Sequence, residues 1–243
     1  MSLKDMIFKR KSVRSYTNTP VDRNVLDQIN AFISQCRRLY PEIRMRYEIV
    51  PRESVRCILP WIPPQMLTIF TEEREGALED AGFVFQQLDL YLQSIGLGAC
   101  WLGMGRLNSR TAEESIRSDG LKPVMMIAFG HPKGSARRTA AEFKRKALDE
   151  ICDKADARLE YARLAPSSVN SQPWYFVHDG EAIHCFCILR GLLKKVVLGD
   201  MNRIDVGIAL AHMCIAYPEA FRFYRAHPVP ALKGYGYIGS FTL

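Results

Sequence analysis

The sequence predicts an α+β fold. Three observations support this. Short apolar runs of strand length recur along the chain, two longer segments are apolar around most of a helical circumference, and the composition is that of an ordinary globular protein. Hydrophobic residues make up 48% and charged residues 24% of 243 positions. These values are close to the soluble average, which excludes disordered and fibrous architectures. The length suits one large domain or two small ones, each with its own core.

Taken in order, Leu3–Lys9 reads as a short helix and Arg10–Tyr16 as an extended segment leading to Pro20. Asp22 is a candidate N-cap for an amphipathic helix carried by Val25, Leu26, Ile29, Phe32 and Ile33 and ending near Arg37-Arg38. Met45–Val50 and Met66–Phe70 read as strands, separated by the helix-incompatible Pro60–Pro64 stretch. Glu72–Ile95 is helical with an apolar side too wide for a surface helix, stopped by Gly96-Leu97-Gly98. Ala99–Gly103 then leaves in extended form, and Val124–Phe129 is a buried strand closed by Gly130-His131-Pro132. Ala141–Ala155 and Ala157–Leu164 read as helices, Trp174–His178 and Ile183–Leu189 as strands, and Ile204–Ala216 as a second apolar helix. Gly234–Leu243 suits an edge strand or closing arm. Asp80-Ala81-Gly82 and Asp205-Val206-Gly207 each open one of the two apolar helical runs, a hint of an internal repeat.

The seven cysteines are an odd number without paired CxxC spacing, so a zinc ribbon or redox pair is not expected. Cys185 and Cys187 share a strand face and are read as core packing. A metal site joining them to His184 lacks a fourth ligand nearby, so no metal is expected. His212, on an apolar helix, is read as a satisfied core residue. The net charge of +7 is spread over Lys9–Arg14, Arg37-Arg38, Arg137-Arg138 and Lys144–Lys146, without the interleaved aromatics of a single-strand binder. No nucleic acid is expected as a partner. No apolar run approaches bilayer length and the first residues lack a signal-peptide core, so the expectation is a cytoplasmic protein with no membrane partner.

Four motifs carry chemistry: Arg10-x-Ser12-x-Arg14, Gly96-Leu97-Gly98-x-x-Trp101-x-Gly103, Gly130-His131-Pro132 followed by Arg137 and Arg138, and Pro166-Ser167-Ser168-Val169-Asn170-Ser171-Gln172-Pro173-Trp174. Alternate residues of an extended segment share a face, so the first can present two guanidinium groups and a hydroxyl to an anion. The last is a polar cradle ending in an aromatic anchor, in which Gln172 orders the loop and Trp174 sits in the core. Together these motifs resemble the FMN-dependent nitroreductase family.

The resemblance implies mixed, mainly antiparallel sheets with helices packed around them, and FMN as cofactor with NAD(P)H as reductant. By the same resemblance, Arg10, Lys11, Ser12 and Arg14 meet the flavin phosphate, ribityl chain and pyrimidine edge. Arg137 or Arg138 close the phosphate site, and Pro166, Ser167, Ser168 and Asn170 line the ring and tail. Leu102, Gly103 and Met104 match the segment whose backbone faces flavin N5. The implied reaction is ping-pong hydride transfer to a small-molecule acceptor such as a nitroaromatic or a quinone, with no catalytic side chain required.

Family members usually place the serine-asparagine segment one helix after the arginine segment, whereas here the two lie far apart. The family's homodimers build each flavin site from both subunits. The order is therefore explained if residues 1–150 and 151–243 are two diverged nitroreductase-like halves, packed as an internal pseudo-dimer in one chain. A subgroup of the family has this duplication. It implies that the chain can be a monomer, with one flavin site retained. The alternative is a vestigial flavin-binding protein of the same fold without turnover.

Overall fold

The computed structural model describes the whole chain except residues 109, 111–113, 115–118, 136, 137, 140, 141, 190 and 191. It divides into two compact units. One comprises Met1–Ala77 with Gln87–Ala140, the other Leu78–Gln86 with Ala141–Leu243.

In the first unit, α1 (Leu3–Ile7) opens with a capping box in which the Ser2 hydroxyl accepts from the Asp5 amide. Helix α2 spans Arg23–Gln35. Asp22 occupies its N-cap but makes no side-chain capping bond, and the first turn closes on the Asp22 carbonyl instead. The helix stops before Arg37-Arg38 because Gln87 clips the backbone there: its Oε1 accepts from Arg37 N at 3.2 Å and its Nε2 donates to Arg37 O at 2.9 Å. Strands β1 (Met45–Pro51), β3 (Gln65–Thr71), β4 (Gly98–Leu102) and β6 (Lys122–Gly130) form a sheet in the order β1-β3-β6-β4, antiparallel throughout. A two-stranded ladder joins β2 (Val55–Arg56) to β5 (Arg106–Leu107). Met66, Phe70, Leu102, Met126 and Ala128 fill the core beside Val13 and Tyr16.

Helix α3 (Ala77–Ser94) starts later than its apolar pattern suggests, after Gly76 at φ 90°, where a side chain would strike the Tyr40 ring. Its first turns belong to the second unit and its later turns to the first. It ends as expected at Gly96, φ 92°.

In the second unit, α4 (Glu160–Arg163) precedes β7 (Trp174–Asp179), β8 (Ala182–Ile188), α5 (Leu192–Ala216), β9 (Arg222–Tyr224) and β10 (Tyr235–Thr242). The sheet order is β7-β8-β10-β9, again antiparallel throughout. Trp174, Phe176, Phe186 and Phe241 are fully buried, with Phe176 and Phe241 edge to face. Cys185 and Cys187 pack in this core, while His184 bonds Ser240 at 2.7 Å. His212 is satisfied as expected, by Gln86 at 3.0 Å and the Tyr161 carbonyl at 2.9 Å.

Two expectations are corrected here. Among its described residues, the Ala141–Ala155 segment is not an α-helix but an irregular run that includes the 3-10 turn Leu148–Glu150. Its backbone serves tertiary partners instead: Lys146 N donates to Gln172 Oε1, and Phe176 N donates to Ile151 O. Those bonds leave no helical ladder to complete. Strand β10 is not an edge strand, because it lies between β8 and β9.

The two sheets share a chain order. In each, a first and second strand pair, a long apolar helix follows, and the next strand takes the edge while the last inserts beside the second. Within the second unit, α3 and α5 cross at their glycines. A Cβ on Gly82 would lie 2.1 Å from Ile204 O, and one on Gly207 would lie 2.0 Å from Glu79 O. Among the described residues, no helix is long and apolar enough to cross a membrane.

Strand β7 ends in a charge cluster. His178 Nδ1 lies 2.8 Å from Asp153 and its Nε2 lies 3.1 Å from Asp156, which Arg158 also grips. Burial pushes the Asp156 carboxyl up. Hydrogen bonds from the Arg158 side chain, its amide and His178 outweigh that and bring it down to about 2. A depressed folded-state value stabilises fully above the unfolded value of 3.8 and is lost as pH falls toward 2. The urea midpoint should therefore drop between pH 4 and pH 2, and less steeply in Asp156→Asn. Equal slopes for the two proteins would contradict this.

Candidate functional site

In the first unit, three of the four motifs come together around β4. Ser12 bridges Ala99 in parallel, Val13 N donates to Ala99 O at 3.0 Å, and Gly98 admits the Val13 side chain where a Cβ would lie 2.8 Å from it. The two glycines of Gly96-Leu97-Gly98 thus do different things: Gly96 ends the helix and Gly98 lets the arginine segment dock. The same segment continues to the Gly-His-Pro turn, where Thr17 N donates to His131 O and Tyr16 bridges Pro132.

The expected ligands differ in availability. Arg10 is fully buried, with Nε donating to Asp89 Oδ2 at 2.8 Å and Nη2 donating to Ser12 Oγ at 3.2 Å. Lys11 and Ser12 are half-buried, and Arg14 is exposed. Lys11 N donates to Gln93 Oε1 at 2.8 Å, and Gln93 Nε2 donates to Asp89 Oδ1 at 2.9 Å. Burial pushes the Cys100 thiol up, against the pull of the Arg14 and Arg10 charges. Leu102 is buried at the end of β4, Gly103 turns the chain and Met104 is exposed. Arg106 Nη1 donates to the Gly103 carbonyl at 2.8 Å and fixes that turn. Arg138 N donates to Lys9 O at 2.9 Å, which brings Arg138 to the start of the arginine segment. Arg137 lies outside the described residues.

In the second unit, the Pro166–Trp174 string is a tightly bonded loop. Pro166 is buried, Ser167 and Ser168 are half-buried, and Val169 and Asn170 are exposed. Val169, Asn170 and Gln172 have φ of 48°, 56° and 47°. Such a run without glycine persists only where surrounding bonds over-determine it, and these bonds are present. Gln172 orders the loop as expected: its amide donates to Ser167 Oγ at 2.9 Å and its Nε2 to Asn170 O at 3.1 Å. Asn170 Oδ1 accepts from Arg145 at 2.6 Å while its Nδ2 donates to Lys144 O at 2.8 Å. Ser168 N donates to both carboxylate oxygens of Asp205, at 3.0 and 3.1 Å. Trp174 is core, as expected, at 1% exposure.

Sequence reasoning missed the anchors: Asp89 and Gln93 on α3, Asp205 on α5, and Arg145. A signal was present for two of them. An aspartate inside an apolar run, as in Leu88-Asp89-Leu90, is rarely buried without a partner, and Asp205 stands in the repeated Asp-x-Gly setting.

A family model described as "Putative TM nitroreductase" matches residues 2–217. The chain belongs to this nitroreductase family. Its fold is accordingly α+β and nitroreductase-like, and solved structures agree. The structure of a "putative nitroreductase" from Thermotoga maritima matches with a TM-score of 0.66 at 18% identity, covering 99% of this chain and 92% of that one. A nitroreductase family protein from Clostridium difficile 630 gives 0.50 at 16% identity, covering 62% and 96%. An FMN-dependent nitroreductase from Clostridium difficile R20291 gives 0.45 at 17%, covering 59% and 97%. No curated protein matches this chain in sequence.

Proposed function

We propose that this chain is an FMN-dependent oxidoreductase that draws hydride from NAD(P)H and reduces nitroaromatic or quinone-like acceptors. We further propose that residues 1–150 and 151–243 are diverged copies of one nitroreductase-like unit. Family membership supports the reaction class. The observation that carries the duplication is the shared strand order of the two sheets. The helix crossing adds to it. When a helix meets its own copy across a two-fold axis, every contact recurs with the roles exchanged. Glu79 stands three residues before Gly82 and Ile204 three before Gly207, and each glycine faces the other's partner. A chain that already contains its pseudo-dimer mate is expected to be a monomer in solution.

The residues suit FMN in charge and shape. Arg14 offers an exposed guanidinium, Lys11 and Ser12 a cation and a hydroxyl in the same segment, and Gly103 a position without a side chain at the end of β4. FMN, when bound, supplies a reversible hydride carrier. Arg14 offsets the negative charge that reduction leaves on the pyrimidine edge. Lys11 and Arg138 would hold the FMN phosphate, and Gly103 would permit close approach of the backbone. No side chain of this set is asked to move a proton.

The test is the spectrum of the freshly purified protein. Flavin absorbance at one FMN per chain, bleached by NADH or NADPH and restored by a quinone, is the expected result. Arg14→Ala should lower FMN affinity by about tenfold, roughly 1.4 kcal/mol. A flavin that stays oxidised with both nicotinamides would favour the vestigial alternative, and two FMN per chain would overturn the reading of one retained site.

A further inference from the structure

Arg10 opens the motif that the resemblance assigns to the flavin, yet its side chain is 1% exposed and that of Asp89 is not exposed at all. A guanidinium meeting a solvent-borne phosphate has to be reachable. Withdrawing it toward a ligand would take from the buried Asp89 carboxylate the guanidinium bonded to it at 2.8 Å, which is costly. The bonds around it instead form one connected unit. A single carboxylate takes Arg10 Nε on one oxygen and Gln93 Nε2 on the other. Gln93, one turn further along α3, turns its carbonyl oxygen to Lys11 N, while Arg10 Nη2 reaches Ser12 Oγ. The extended segment is therefore held to α3 at two successive residues, 10 and 11, and the hydroxyl of residue 12 is oriented from within.

We infer that Arg10 is a positioning residue and not a phosphate ligand, and that Asp89 and Gln93 are its partners in fixing the flavin-binding conformation of Lys11, Ser12 and Arg14. This rests on the flavin reading above. Because Arg10 donates to Ser12 Oγ and the Ser12 hydroxyl in turn bonds the Cys100 thiol, that hydroxyl is held in place from inside the protein. Because Asp89 neutralises Arg10, the cations offered to an anionic ligand from this segment are Lys11 and Arg14. The two arginines of the motif thus have different duties, set by burial. Bonds made before the ligand arrives lower the ordering cost of binding, which is how a residue that touches no ligand raises affinity.

The experiment compares FMN with riboflavin, which lacks the phosphate, as ligands of the full chain by fluorescence titration. Arg10→Met and Asp89→Asn should each weaken both ligands by the same factor, about tenfold or more, and the double variant should lose no more than the worse single one. Gln93→Leu, which disturbs no charge, should also weaken both, and keeps the test open if the charge variants do not fold. Loss of FMN with riboflavin binding intact would make Arg10 a phosphate ligand and overturn the inference. Unchanged binding of both ligands in Gln93→Leu or in the folded charge variants would overturn it as well, leaving the flavin reading standing. A wild-type chain that binds neither ligand would overturn both.

Discussion

Gly207→Ala is expected to destabilise the protein by about 2 kcal/mol or more. The new methyl would stand 2.0 Å from the Glu79 carbonyl oxygen, well inside any allowed contact. The atom it meets is backbone in the first turn of α3, which cannot swing aside as the end of a side chain can. Overpacking of this kind costs roughly 1–3 kcal/mol and sometimes more. Alanine's better helix propensity returns only about 1 kcal/mol, so strain wins. Gly82→Ala should cost a similar amount, its methyl falling 2.1 Å from Ile204 O. Since one small separation of the helices relieves both clashes, the double variant should cost less than the sum of the two. Urea denaturation of the three variants decides the matter, and an alanine variant as stable as the parent would mean that the helices do not cross at these residues.

Asp205→Ala has the second largest expected effect. Its carboxylate takes the Ser168 amide on both oxygens and is itself only 4% exposed. Hydrogen bonds to a charged group contribute about 1.5–3 kcal/mol, and the amide left behind would be half-buried and unpaired. The same bond helps hold Val169, a β-branched residue, in the left-handed region at φ 48°. We expect a loss of about 2–3 kcal/mol, and faster hydrogen exchange at the Ser168 amide. Asp205→Asn, which keeps one acceptor oxygen, should lose about half as much. Unchanged exchange at Ser168 in Asp205→Ala would show that the loop stands without this anchor.

Much of the architecture is legible in the chain because it depends on local patterns. The runs that became β1, β3, β6, β7 and β8 carry strand-length apolar stretches, and both long helices announce themselves by all-round apolarity. The segment before Ala155 misled for the opposite reason. Its helical appearance is a local preference, whereas its backbone partners, Gln172 and β7, lie more than twenty residues away. The same division runs through the site. The four motifs are contiguous strings and can be read. Asp89, Gln93, Asp205 and Arg145 act on those strings from a distance, and their duties exist only once the fold brings them there. Gly82 and Gly207 lie between these cases. Their shared Asp-x-Gly setting is visible in the sequence, but the reason for glycine is a neighbouring backbone that no string of letters records.

The placement of β10 governs when the second sheet can be built. Strand β9 pairs within its sheet only with β10, and β8 lacks one of its two neighbours until β10 arrives. While Tyr235–Thr242 is still inside the ribosome, three earlier strands wait with an open hydrogen-bonding edge, the condition under which nascent chains pair with the wrong partner. The sheet of the first unit is complete once Gly130 has emerged. Synthesis and folding are thus in step for one sheet, while the other must close after its last strand is made, and crowding during translation should bear hardest on that sheet.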